Sequence, residues 1–205
     1  RPVPIINAGS GKDQHPTQAL LDIYTLQRSF EKNGGMKNKH IVFVGDLARG
    51  RTVRSLAKLL SFYPKISITF VAPDSLQIGE DVLEQLDAAN VSYNLSNDFK
   101  SMIPEADAIY MTRIQDEWDF EQKKIEKFDL KDYSFTVDDL KRLSPQGVIM
   151  HPLPRRSELD KACDNDPRAV YWRQMRNGMW IRSALIAKIF VRDNEITNFY
   201  MMNIK

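Results

Sequence analysis

The chain has 205 residues, with 29 Lys and Arg against 27 Asp and Glu, a formal net charge of +2. At 42% hydrophobic and 27% charged it has ordinary globular composition, which excludes a disordered tail, a fibrous repeat and the basic footprint of a nucleic-acid-binding protein. No apolar run approaches the about 20 residues of a membrane span, and the single cysteine, Cys163, excludes a disulfide framework or Cys-rich zinc site and suits a reducing, cytoplasmic compartment.

Arg1-Pro2-Val3-Pro4 lacks the apolar stretch of a signal peptide, and no initiating Met precedes it, so the sequence reads as a fragment or processed piece. Pro2 to Ala8 reads as the end of a strand and Gly9 to Gln14 as a loop. A helix follows over Pro16 to Asn33, with Leu20, Ile23, Tyr24, Gln27 and Phe30 near a 3.6-residue spacing and Gly34-Gly35 as its stop. Ile41 to Val44 is a continuous apolar run, the pattern of a strand buried on both faces. Thr52 to Tyr63 is a helix with Val53, Leu56, Leu59 and Leu60 inward, and Ile66 to Val71 a second strand.

Gly79 to Asn90 is helical, Val91 to Leu95 a short strand, and Asp98 to Glu105 a short helix capped by Asp98. Ala108 to Thr112 is a fourth strand, Gln115 to Asp138 a charged surface loop, and Val148 to Met150 a fifth strand. Ala169 to Val191 carries a long helical signal with Gly178 inside it. Strands alternating with such helices predict an α/β fold, a doubly wound, mostly parallel five-stranded sheet with helices on both faces.

In such sheets ligands bind beyond the carboxyl ends of the strands. After the first strand, Gly45-Asp46-Leu47-Ala48-Arg49-Gly50-Arg51-Thr52 nearly matches a phosphate loop, with Arg51 where Lys belongs. An Arg fork at a helix start suits a carboxylate, although a solvated first-turn Arg has the same sequence. After the fourth strand come Arg113 and Gln115, either a carboxylate-binding pair or a surface Arg pairing with Asp116 or Glu117. After the fifth, in His151-Pro152-Leu153-Pro154-Arg155, two prolines remove N–H donors and leave carbonyls to accept from a ligand; an ordinary rigid turn is the alternative. His15 and Gln18 lie one turn apart at the first helix start and could donate to a carbonyl oxygen and hold an amide, or His15 could simply cap the helix. The three histidines, His15, His40 and His151, show no metal-ligand spacing, so no metal is expected.

Together these stretches resemble the aspartate carbamoyltransferases. Asn7-Ala8-Gly9, QHPTQALLD (14–22), VGDLARGRTVRSL (44–56), APD (72–74), YMTRIQ (110–115), HPLPR (151–155) and Asn177-Gly178 follow the family's order and spacing. The resemblance implies transfer of a carbamoyl group from carbamoyl phosphate to the α-amine of L-aspartate, in pyrimidine biosynthesis, with no cofactor. It implies that His15 bonds the carbamoyl oxygen and Gln18 the carbamoyl nitrogen, that Arg51 and Arg113 bind the aspartate carboxylates with Gln115 in support, and that Pro152, Leu153 and Pro154 present main-chain carbonyls. Ornithine carbamoyltransferases, the sister enzymes, carry a Cys where this chain has Pro152.

The resemblance divides the chain into residues 1–33, the end of a carbamoyl phosphate domain with its linking helix; 34–168, an aspartate-binding domain; and 169–205, a C-terminal helix packing back towards the other domain. It leaves out the phosphate-binding half, so the chain alone is expected to be inactive. It also implies a homotrimer when complete, with regulatory subunits or fused pyrimidine enzymes in some members. The alternatives are a non-catalytic scaffold or a carbamoyltransferase for another amino acid.

Overall fold

The apolar run at Ile41 forms the centre of a five-stranded sheet in the computed structural model, which describes residues 3–11, 13–114 and 129–203. The strands are β1 (His40–Val44), β2 (Ser67–Val71), β3 (Ser92–Ser96), β4 (Ala108–Met111) and β5 (Val148–Met150), in the order β3-β2-β1-β4-β5. Every pairing is parallel, where the sequence predicted a mostly parallel sheet. Val42 sits opposite Thr69 on one side and Ile109 on the other. Ile41 to Val44 are wholly buried, which requires cover on both faces and accounts for their unbroken apolarity. Edge strand β3 is half-exposed and correspondingly polar.

The helices are α1 (Pro16–Phe30), α2 (Arg51–Leu60), α3 (Glu80–Ala88), α4 (Phe99–Met102), α5 (Tyr171–Ile189) and α6 (Asp193–Asn203). Asp98 caps α4 as expected, its carboxylate accepting the Ser101 N–H at 3.1 Å. Val82, Leu83 and Leu86 of α3 are buried, as their spacing predicts.

Four expectations need correction. Val3 to Ala8 form no strand. On α1, Leu20 and Gln27 are exposed, while Leu21, Asp22, Thr25 and Leu26 are buried. The helix packs against both α2 and α5, so its buried arc is wider than one apolar stripe and includes polar residues. Of the predicted surface loop, residues 115–128 lie outside the described residues. The remainder is anchored: Phe135 is wholly buried and exchanges backbone hydrogen bonds with Glu158 and Asp160 at 2.8 and 2.9 Å. Finally, the helical signal over Ala169 to Val191 forms α5, but the C-terminal helix expected over 169–205 is two helices, parted where Val191 takes a left-handed φ of 56°. α6 buries nothing, and α5 leaves Trp172, Met175, Met179 and Trp180 largely exposed.

Gly45 ends β1 with φ +120°, and a Cβ there would stand 2.4 Å from the Thr112 carbonyl oxygen. That approach lets the Thr112 N–H and hydroxyl both bond the Val44 carbonyl, at 2.8 and 2.9 Å. Gly45→Ala combines a disfavoured φ with a collision against backbone, and should cost on the order of 2 kcal/mol or more in urea denaturation. An unchanged midpoint would show that the two strand ends do not meet this closely.

Candidate active site

The sheet order reverses between β1 and β4, which opens a crevice at their carboxyl ends. Arg51 follows β1, Arg113 follows β4, and the His151 turn follows β5, the neighbour of β4. Three stretches far apart in sequence therefore leave adjacent strands at one edge. The start of α1 joins them: the His15 N–H donates to the Ser55 hydroxyl of α2 at 2.9 Å.

The 45–50 loop is not a phosphate cradle. Its Leu47 and Ala48 N–H groups both go to the Leu76 carbonyl, at 3.0 and 2.9 Å. The Arg49 N–H and Nε go to the buried Asp46 carboxylate, at 3.1 and 2.6 Å. With these three N–H groups taken, the Arg51 side chain is the cationic group this stretch offers an anion. Arg51 is half-buried, and its Nη1 donates to the Gly11 carbonyl at 3.0 Å. A Cβ on Gly9 would lie 3.1 Å from the same nitrogen, so loop 9–11 backs the guanidinium. Arg51 is thus held, and is not a freely solvated first-turn residue.

His15 occupies the N-cap position of α1, but its side chain makes no cap hydrogen bond. Its Nδ1 is buried without a partner among the described residues. Burial, then the nearby Arg51 and Arg182 charges, hold the imidazole below its ordinary 6.5. At neutral pH it is the uncharged form, fit to donate from one nitrogen to a carbonyl oxygen.

Gln18 is buried one turn further on. Its Nε2 donates to Asp22 Oδ1 at 2.9 Å, which leaves Oε1 as the acceptor it can offer an N–H group.

The His151 turn is built to expose carbonyls. His151 Nδ1 accepts the Leu153 N–H at 2.8 Å, so Nε2 carries the proton and donates to Glu158 Oε1 at 2.8 Å. Pro152 and Pro154 have no N–H, and that of Leu153 is consumed, so carbonyls are the polar groups left along the turn. Leu153 adopts φ 57°, and the Leu153-Pro154 bond is cis. Arg155 turns elsewhere: it pairs with Asp164 and lies over the Tyr171 and Trp172 rings.

Arg113 is half-buried, one residue beyond Thr112. Gln115 lies outside the described residues.

Four neighbours of these groups escaped the sequence reading. Asp22, fully buried, accepts from Gln18, Gln174 and Tyr110. Gln174 also accepts the His151 N–H at 2.9 Å. Arg182 lies on Gly178, where a Cβ would come within 2.6 Å of its Nη1, and its charge reaches His15 and Asp22. Asp22 had a usable signal, a carboxylate four residues after Gln18 on the same helix face. Tyr110, Gln174 and Arg182 had none, because their partners are 88, 152 and 160–167 residues distant.

A groove of about 770 Å³ lies between α1, α2 and α3. It meets the site only at Ser55, and its Arg54 is already paired with Asp81 at 2.9 Å. The chemistry-bearing side chains are not on it.

A family model described as aspartate/ornithine carbamoyltransferase, Asp/Orn binding domain, matches residues 37–189, and the corresponding carbamoyl-P binding domain model matches residues 1–28. The chain is 43% identical over 184 residues to aspartate carbamoyltransferase 1, chloroplastic, of Pisum sativum, covering 90% of this chain and 47% of that protein. The catalytic subunit of M. jannaschii aspartate transcarbamoylase superposes with TM-score 0.79 at 36% identity, covering 94% of this chain and 61% of its own. Trypanosoma cruzi aspartate transcarbamoylase, solved in complex with carbamoyl phosphate and aspartate, superposes with TM-score 0.74 at 37% identity, covering 87% and 56%. The chain spans about half the length of the curated relatives it matches.

The electrostatics of His15 can be read directly. Replacing Arg51 with Met removes a cation that disfavours the imidazolium, so the His15 titration followed by NMR should move up towards 6.5. A midpoint that stays put, or falls, would mean that Arg51 does not lie beside His15.

Proposed function

The chain belongs to the aspartate/ornithine carbamoyltransferase family, and on that premise we propose that it forms the amino-acid-binding part of an enzyme that carbamoylates L-aspartate. The observation that supports this reading is that Arg51, Arg113 and the carbonyl-lined turn leave the carboxyl ends of the neighbouring strands β1, β4 and β5, with His15 beside Arg51.

In this reading the unprotonated α-amine attacks the carbamoyl carbon. Negative charge builds on the carbamoyl oxygen, where His15 donates. The new C–N bond forms as the bond to phosphate breaks. Phosphate leaves with the electron pair, and the amine proton passes to it, giving N-carbamoyl-L-aspartate and hydrogen phosphate. Gln18 Oε1 and the carbonyls of Pro152 to Pro154 accept from the carbamoyl and amine N–H groups and so aim the reactants. Arg51 and Arg113, with Gln115, take the two carboxylates. Two guanidinium groups repel the cationic side chain of ornithine, which favours aspartate within the family. A donor aimed at a developing oxyanion is typically worth about 2.7–4 kcal/mol, and positioning of bound reactants accounts for about 7–11 kcal/mol in favourable cases.

The phosphate end of the donor belongs, in the same reading, to a carbamoyl phosphate domain of which residues 1–33 are the last part. Residues 34–168 bind the amino acid. Residues 169–205 lie towards the other domain, which would cover Met175, Met179 and Trp180 on the open side of α5. A homotrimer in a reducing compartment completes the proposal.

Fusing the chain behind the carbamoyl phosphate half of the M. jannaschii catalytic subunit tests it. With labelled carbamoyl phosphate, labelled carbamoyl aspartate should form while ornithine gives none. His15→Ala should lower turnover by about 100-fold or more, and Arg113→Ala should chiefly raise the KM for aspartate. A folded fusion that makes no product would favour a non-catalytic binding module.

A further inference from the structure

Asp22 is a fully buried carboxylate on α1, beneath the site and out of reach of any substrate. Its Oδ1 accepts Gln18 Nε2 at 2.9 Å and Gln174 Nε2 at 2.7 Å, and its Oδ2 accepts the Tyr110 hydroxyl at 2.7 Å. These donors come from α1, α5 and β4, and each leads on to the site. Gln18, with its nitrogen committed, offers its oxygen to the carbamoyl nitrogen. Gln174 takes the His151 N–H on its own oxygen at 2.9 Å, at the head of the carbonyl-lined turn. The Tyr110 hydroxyl also meets the side chain of Thr52, beside Arg51.

We propose that Asp22 is a positioning residue for carbamoyl transfer, the buried anchor that orients the Gln18 amide and, through Gln174, the main-chain carbonyls of Pro152 to Pro154. This rests on the carbamoyltransferase reading above. A helix surface or a sheet could hold one of these groups. Only a single acceptor that takes donors from both helices holds them in register.

The charge on the anchor matters. Burial pushes the Asp22 carboxyl up to about 7, opposed by the bonds from Tyr110, Gln174 and Gln18 and by the Arg182 charge. The titratable and charged groups facing it are Tyr110 from β4 and Arg182 from α5; on α1 itself, His15 lies within the field of the same Arg182. Ionised, Asp22 accepts all three bonds, charge-assisted and roughly twice as strong as neutral ones. Protonated on Oδ2, it must donate to the Tyr110 oxygen, Tyr110 must turn its hydrogen towards Thr52, and both amide bonds weaken. Transfer should therefore rise with pH across about 7. The His15 titration, held below 6.5, lies lower and is distinguishable.

Asp22→Asn keeps the shape, since the amide oxygen still accepts from both glutamines and its nitrogen can donate to Tyr110, but it removes the charge. In the catalytic fusion, kcat should fall roughly tenfold or more, KM for aspartate should stay within about twofold, the limb near pH 7 should vanish, and the melting temperature should hold. In the chain alone, the side-chain amides of Gln18 and Gln174 and the backbone amide of His151 should titrate together by NMR, a readout that needs neither the variant nor activity. A variant fusion with wild-type turnover and the same limb overturns the proposal, as do amides that fail to titrate together. An inactive but folded wild-type fusion instead overturns the carbamoyltransferase reading itself.

Discussion

A carboxylate cannot be left alone in a protein interior, and the burial of Asp22 makes three elements agree. Its oxygens are satisfied by donors from α1, α5 and β4. An ionised group at that depth is tolerated only where such bonds replace its hydration. Glycine completes the join: Gly178 lets α5 come so close that a Cβ would stand 3.1 Å from Leu21. Beside it the Asn177 amide donates to the Thr25 hydroxyl at 2.9 Å. The last long helix is thereby tied to the first, and the His151 turn hangs from both through Gln174.

Around that anchor the site sorts its polar groups by sign. The Leu47, Ala48 and Arg49 N–H groups, which could have cradled an anion, go instead to Leu76 and Asp46. The His151 turn has spent or lost its donors and shows carbonyls. Positive charge is left to arginine side chains, two of which add to burial in holding the His15 imidazole below its ordinary value. Such a surface takes a carboxylate at one end and N–H groups at the other, with a neutral donor between. That is the polarity an amino acid and a carbamoyl group present when they meet. No single strand end has all of it.

The parallel sheet was legible because apolar runs of four or five residues recur between amphipathic helices, and every predicted strand from Ile41 onward formed within a residue or so of its expected bounds. The functional stretches were legible for a related reason: in a parallel sheet the residues after each strand are the ones that share an edge. Less legible was α1, where a stripe of 3.6-residue spacing named Leu20 and Gln27. The helix buries an arc shared between two neighbours, and polar residues occupy part of it. Phe135 looked like loop because two residues of bridging to Glu158 and Asp160 leave no periodicity to detect.

The sequence by itself determined the alternation of strands and helices, the side chains at the strand ends, and, through the order and spacing of its motifs, the family. Those are properties of local pattern and of residue type. The tertiary structure decided the rest: that the Leu47, Ala48 and Arg49 N–H groups of the phosphate-like loop go to Leu76 and Asp46, that His15 is half-buried beside two arginines, and that Asp22, Tyr110, Gln174 and Arg182 stand behind the site. The physical reason is distance along the chain. A hydrogen bond between residues 152 positions apart, such as Gln174 to Asp22, leaves no trace in any window of sequence and exists only once the helices have packed.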